Sequence, residues 1–520
     1  METTSNRGIV VISGGSAANN LVDVFDALRE SKDCLLSYII PISDNGGSSS
    51  ELIRIFGGPG IGDIRSRLVR LIPDSSVNSE RTAIKTLFNH RLPAEAAAAS
   101  HEWQSIVDGT SDLWKCIAPA KKELIRSFFN LLNLEILKRA RPPSTTFDFT
   151  SASVGNLFLT GARLFSGSFE SAIYLLGSIC GVQSDSVRVI PAINSNFSHH
   201  ISATLADGSI IVGQNSISHP SEVTALQPGR GSRSRRPSLL LADGDDLEET
   251  DSSDMSDAVS YEEDHLPGSL AMLRNKNISF SKTKNEDLPS RIDRIWYINP
   301  YGQEISPAAN PRVLEALSDA QAIIYSIGSL YTSIIPAIIL RGVGKSIMTS
   351  PARHKILILN GSLDRETGPP SEPFSASDFV EAIVRAGEQS RGRRHNRTTL
   401  HHGSSTSPSS PETIRAHTPL PYTAYVTHIL HLDGPGTPHV DRERLAEMGI
   451  ETLRLYGRKI TAMEDDTEVV VGMRYDSNAL IQALEVVLGK KGDAMVRGGV
   501  GSSLGRRNTL DPRRETRHGV

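Results

Sequence analysis

Cysteine is scarce, with three in 520 residues (Cys34, Cys116 and Cys180) and no C-x-x-C pair among them. That excludes a disulfide framework and a thiolate metal site, and it fits a reducing compartment, so a cytoplasmic location is expected. No single sign of charge dominates either: 55 Lys and Arg against 59 Asp and Glu leave a formal charge of -4. A chain so balanced is not built as a wholesale nucleic-acid binder. Long hydrophobic runs are also few. The opening "GIVVI" is far shorter than a secretory core. The longest uncharged run, Ala320 to Leu340, reaches spanning length but contains Gly328, Pro336 and several hydroxyls. It therefore reads as strand, turn and buried helix, and no membrane partner is expected. Missing too are G-x-G-x-x-G, a Walker lysine, H-E-x-x-H and an ordered Ser, His, Asp set, which argues against a standard dinucleotide enzyme, a P-loop, a zincin and a triad hydrolase.

What is present is a regular alternation. "IVVI" is a β-branched run of the kind buried on both faces of a parallel sheet, and "LVDVFDAL" places Leu21, Val24, Phe25 and Leu28 at helical spacing. "CLLSYIIPI" repeats the strand and "SELIRIF" the helix, so the start of the chain predicts a doubly wound α/β sheet. Residues 78 to 145 read as helical, followed by the apolar helices "SVGNLFLTGARLF" and "FESAIYLLGSIC". "VRVIPAI", "HHISATLADGSIIVGQ" and "RIDRIWYINP" read as strands, with "ADGS" as a hairpin turn. Later come the strand "KILILNG", the helix "SASDFVEAIVRAG", strands around "AYVTHIL" and "VVVGMRY", and a closing helix "SNALIQALEVVL".

The expected organisation is one α/β domain over 7–488, interrupted at 227–265 and 388–420 and followed by a basic tail over 489–520. Dense charge and serine in those three stretches leave little apolar surface to offset chain entropy, so all are expected to be disordered. The runs "RSRRPS" and "RGRR" within them read as solvated loops, with Ser238 a hypothetical phosphorylation site; native protein lacking phosphate there would exclude it.

Four segments suit phosphate. "SGGSAANN" joins a buried strand to a helix, so the amides of Gly14, Gly15 and Ser16 lie where a ligand can approach backbone and helix terminus together. "SDNGGSS" ends the next strand, at the edge where open α/β sheets bind ligands. There Asp44 suits a divalent cation, and Gly46, Gly47 and Ser48 suit phosphate oxygens. "GGPGIGDIR" repeats the pattern, with Asp63 as a second metal or polar ligand and Arg65 as a phosphate fork. In "SIGSLYTSIIP", Gly328, Ser329 and Thr332 open another helix after a strand, and Asn156 is a polar residue opening an apolar helix. Ordinary helix capping uses the same residue types at each place.

The order of these pieces resembles one family: the 2-phospho-L-lactate transferase CofD and gluconeogenesis-factor YvcK group, in its eukaryotic branch. The resemblance runs through "VVISGGSAANNL", "PISDNGGSSSELIRIFGGPGIGDIRSRLVRL", "SVGNLFLTGARL", "LADGSIIVGQ", "YSIGSLYTSIIPAIIL" and "SASDFVEAI", over about residues 8 to 385. It implies a Rossmann-like three-layer fold with the site across the carboxyl ends of the strands. It further implies a nucleotide-diphosphate or nucleotide-sugar ligand, Mg2+ at Asp44 and Asp63, and room for a homo-oligomer. Transferases of this group move a phospholactyl group from a guanosine diphosphate ester, while the YvcK branch binds nucleotide sugars such as UDP-N-acetylglucosamine. The chain departs from the common pattern at Asn45, Ala17, Ser326 and Ile327, which bears on the metal charge and on catalysis more than on backbone donors.

Overall fold

The computed structural model describes residues 8–15, 17–43, 48–73, 79–140, 146–218, 287–392, 420–464 and 467–489, with main chain alone at 48, 462–464 and 467–469. The interruption expected at 227–265, with Ser238, lies outside the described residues, as do 393–419 of the second interruption and 490–520 of the tail.

The first unit matches the sequence pattern closely. Strand β1 (Gly8–Ile12) is buried at every position, helix α1 (Val22–Lys32) turns Val22, Val24, Phe25 and Leu28 inward, and β2 (Leu36–Ile40) pairs with β1 in parallel. A side chain buried on both faces of a strand requires layers on both sides of the sheet. Helices α2 (Ser48–Phe56), α3 (Gly62–Arg70), α4 (Glu80–Asn89), α5 (Ala96–Asp108), α6 (Pro119–Arg139), α7 (Val154–Ser166) and α8 (Phe169–Cys180) intervene before β3 (Val187–Pro191). Only 5% of the chain is aromatic, yet Trp103, Trp114, Phe88, Phe128, Phe129 and Phe158 converge here, with ring centroids 5.1 to 6.2 Å apart. Aromatic pairs of this kind add packing energy beyond their area, which lets a helical block stand on its own core.

Strands β4 (His200–Leu205), β5 (Ile210–Val212), β6 (Ile292–Ile298) and β7 (Glu304–Ile305) form a separate antiparallel sheet in the order β5-β4-β6-β7, and α9 (Gln214–Ser218) comes after β5. The predicted hairpin turn lies at Asp207 and Gly208, where Gly208 takes φ +87° and Asp207 accepts from the Ser209 amide at 2.8 Å. After α10 (Pro311–Ser318) the chain re-enters the main sheet as β8 (Ala320–Tyr325). Then come α11 (Ile335–Ile338), α12 (Val343–Thr349), β9 (His354–Ile358), α13 (Ala376–Ser390), α14 (Tyr422–Tyr425), β10 (His428–His431), α15 (Arg442–Glu447) and β11 (Glu451–Arg454). The run from Ala320 to Leu340 is thus strand, turn and helical segments, and no described helix is long and apolar enough to cross a membrane.

The main sheet has seven strands in the order β11-β10-β9-β8-β1-β2-β3, and every neighbouring pair is parallel. The chain moves outward from β1 through β2 to β3, then returns to the other side of β1 with β8 and moves outward the opposite way. Right-handed crossovers in opposite directions place their helices on opposite faces, which gives the three layers. The reversal puts a topological switch point between the carboxyl ends of β1 and β8, where such sheets hold ligands.

One segment differs from expectation. Helix α13 continues to Ser390 rather than yielding to a loop at 388, because Ser390 is buried and its hydroxyl accepts the Gly344 amide at 2.9 Å. "VVVGMRY" is a strand, as expected, and it lies outside the main sheet. It is β13 (Thr467–Tyr475), paired antiparallel with β12 (Gly457–Glu464), before α16 (Ser477–Leu488) packs on α1. Alternation alone cannot tell a strand of the central sheet from one arm of a hairpin laid against it.

Candidate functional site

The cleft is built from the segments that leave the carboxyl ends of β1, β8 and β9. Beyond β1, Gly14 and Gly15 run so close to α3 and to the segment after β8 that no side chain fits. A Cβ on Gly15 would lie 2.2 Å from Asp63 Oδ1, and one on Gly14 would lie 2.5 Å from Ser333 Oγ. Asp63 stands in the first turn of α3, and its carboxylate accepts the Gly15 amide. Burial raises its pKa, while the Gly15 amide, Arg67 and Arg65 oppose the rise. One turn further on, Arg67 is fully buried, lies 4.3 Å from the Tyr38 ring centre, and donates to the Gly14 carbonyl at 3.0 Å. Burial lowers its pKa, and stacking on the ring supplies part of the attraction that water would otherwise give. Arg67 thus clamps the glycine turn from below.

Arg65 points elsewhere. Its Nε donates to Asn156 Oδ1 and its Nη1 to Asn89 Oδ1, both at 3.2 Å. Asn156, in α7, in turn donates to Ser49 Oγ at 3.4 Å, so Arg65 and Asn156 back the first turn of α2. Burial, then repulsion from Arg91, lowers the Arg65 pKa to about 10. Ser16, Asp44, Gly46 and Gly47 lie outside the described residues, and Ser48 is described by its main chain as the start of α2.

Beyond β8, Gly328 takes φ +140°, and Asn360 closes on it from both sides, accepting its amide at 2.9 Å and donating to its carbonyl at 3.0 Å. Ser329 caps the helical turn 330–334, and its hydroxyl bonds Asp364. The Thr332 donors have a partner within the chain. Glu366, 1% exposed, accepts the Tyr331 amide at 2.9 Å, the Thr332 amide at 3.1 Å and the Thr332 hydroxyl. A carboxyl of the protein itself occupies the place where a phosphate was expected. Burial, then repulsion from Asp364, pushes the Glu366 pKa up to about 8.

Of the expected residues, Gly14, Gly15, Asp63, Gly328 and Ser329 therefore border one cleft, whereas Arg65 and Asn156 form a second group beside α2. Arg67, Asn360, Asp364 and Glu366 were not anticipated. Arg67 had a legible signal, since it lies four residues after Asp63 and shares its face of α3. Among the described residues no group of three or more His, Cys, Asp or Glu could hold a metal.

A sequence model described as 2-phospho-L-lactate transferase CofD matches residues 9–452. The chain belongs to the CofD family. This CofD-family chain is also 43% identical to the Saccharomyces cerevisiae protein YNL011C, over 69% of its own length and 79% of that protein. A gluconeogenesis factor of Halalkalibacterium halodurans is 21% identical over 73% of each chain. The crystal structure of protein BH3568 from Bacillus halodurans superposes with a TM-score of 0.50 at 17% identity, covering 92% of this chain and 99% of that one, a likeness of fold.

Proposed function

We propose that the chain is a CofD-like transferase acting on a nucleotide-diphosphate-linked substrate, with phospholactyl transfer as the reaction type. The observation that carries this reading is the Asp63 carboxylate seated on the Gly14 and Gly15 turn at the switch point, in a chain of the CofD family. The Gly15 amide is held by Asp63, so a diphosphate at this turn would exchange that partner, and Arg67 beneath it adds a fixed positive charge that needs no rearrangement as charge develops. An acceptor hydroxyl, oriented by Asp63, would attack the distal phosphorus, the bond from that phosphorus to the nucleoside monophosphate would break, and the hydroxyl proton would pass to the Asp63 carboxylate. Asp63 with Asp44 would hold Mg2+, an ion that commonly binds through one or two carboxylates and substrate phosphates. When bound, it would neutralise charge on the diphosphate. Ser329 and the amides beside Gly328 would close the cleft, and Arg65 with Asn156 would support the segment before α2.

A second reading is a nucleotide-sugar-binding regulator without turnover, favoured by the likeness to a gluconeogenesis factor over 73% of each chain. A thermal-shift panel separates the two, using GDP, a lactyl-diphosphoguanosine donor and UDP-N-acetylglucosamine, with and without magnesium. A ligand at a hundredfold over its Kd stabilises the folded state by about 2.7 kcal/mol. Magnesium-dependent stabilisation by the guanosine donor, lost in Asp63→Asn, supports the transferase. Stabilisation by the UDP-sugar alone, with that ligand intact after hours, supports the regulator. No response to any nucleotide would reject both.

A further inference from the structure

A second cavity, of about 560 Å³, lies away from the glycine turns, between the end of β7 and the α12 and α13 pair. Arg341, Lys345 and Arg391 line it, and none of its lining residues is acidic. Arg391 is neutralised by Glu388 at 2.7 Å, a carboxylate that is itself buried, whereas Arg341 and Lys345 meet no carboxylate among the described residues. In a chain whose formal charge is -4, a cavity with two uncompensated cations favours an anion. Ile339 and Met348 add apolar wall, and Ser306 adds a hydroxyl at the rim.

The frame of this cavity is rigid. A Cβ on Gly344 would lie 2.0 Å from the Gly387 carbonyl oxygen, so α12 and α13 cross backbone against backbone. Ser390 ties the same crossing together, accepting the Gly344 amide and donating to the Leu340 carbonyl. Arg341 is fixed through its own main chain, its amide donating to the Pro307 carbonyl at 3.0 Å and its carbonyl accepting the Ala309 amide at 3.3 Å. A preformed, mixed pocket of this size suits a small metabolite rather than a bare ion. Arg341 and Lys345, both exposed and both lining this cavity, supply a guanidinium and an ammonium that suit the dianionic oxygens of a phosphate monoester.

We propose that this cavity binds a phosphorylated small metabolite, with Arg341 and Lys345 on the phosphate and Ile339 and Met348 against its carbon skeleton. The site does not depend on the nucleotide reading of the cleft. The experiment titrates the full chain with glucose 6-phosphate, glycerol 3-phosphate and citrate at matched ionic strength, by calorimetry and by methyl NMR of the methionines, with Met348 assigned through Met348→Leu. Expected are saturable binding of the phosphate esters, a shift of the Met348 methyl, and a loss of about tenfold or more in affinity for Arg341→Gln/Lys345→Gln, with circular dichroism unchanged. Asp63→Asn should bind the esters as the parent chain does, which separates this site from the cleft. Absence of ester binding, binding indifferent to the double substitution, or an unmoved Met348 methyl would overturn the proposal. Citrate binding as tightly as the esters would overturn the assignment to phosphate.

Discussion

Two turns of the same sequence type end neighbouring parallel strands, and they are put to different use. After β1, Gly14 and Gly15 meet Asp63, a half-buried carboxylate with Arg67 fixed below. After β8, the turn from Gly328 to Thr332 meets Asn360 and Glu366, and Glu366 is sealed from solvent. Both turns give amides to a carboxyl of the protein, Gly15 to a half-buried Asp63 and Tyr331 with Thr332 to a sealed Glu366. A glycine turn after a strand thus identifies where an anion belongs without identifying whose anion it is.

Asp63→Asn should break this contrast most sharply. Loss of this carboxylate is expected to reduce turnover of the guanosine donor about 10²- to 10³-fold while the melting temperature stays close to the parent value; unchanged turnover removes Asp63 from the chemistry. Gly15→Ala comes next, because its Cβ must displace Asp63 from 2.2 Å. A cost of about 1–3 kcal/mol in denaturant unfolding is expected, together with weakened nucleotide binding. Glu366→Gln should leave turnover near that of the parent and alter pH dependence instead. A carboxyl raised from 4.5 to about 8 binds its proton more tightly folded than unfolded. Its contribution to stability is therefore complete below the unfolded pKa and declines as pH rises toward the folded one. Melting curves between about pH 5 and pH 8.5 should fall less steeply for the glutamine variant, and parallel curves would contradict the assignment. Thr332→Val is expected to have the smallest effect, about 1 kcal/mol from one lost hydrogen bond, with nucleotide affinity unchanged. Should that affinity collapse, the second turn holds phosphate after all.

The fold was largely legible because its signals are local. "IVVI" and "LSYII" are β-branched runs flanked by turns, and the apolar spacing in "LVDVFDAL" is helical, so alternation of strand and helix can be read from short windows. The glycine turns were legible for the same reason. Glu366 was not, since it occupies the Tyr331 and Thr332 amides from 35 and 34 residues away in sequence. Arg67 fell between these cases: its helical register with Asp63 can be read, but its burial depends on Tyr38 from another strand. The strand character of "VVVGMRY" was legible but its pairing with β12 was not, because strand character in a window does not specify the partner.

The hairpin of β12 and β13 bears on how the protein is made. Met473 of β13 donates its amide to the Gly361 carbonyl at 2.7 Å, and no side chain fits at Gly361 because a Cβ would lie 1.8 Å from the Met473 carbonyl oxygen. The loop so gripped is the one that carries Asn360, Asp364 and Glu366, while the family match ends at residue 452, before the hairpin begins. During translation, then, a nascent chain emerges from the ribosome with every acid of the cleft already made but its clasp still in the exit tunnel. Pulse-labelled nascent chains released before β13 should leave this loop open to protease, and closure should come with synthesis of the hairpin.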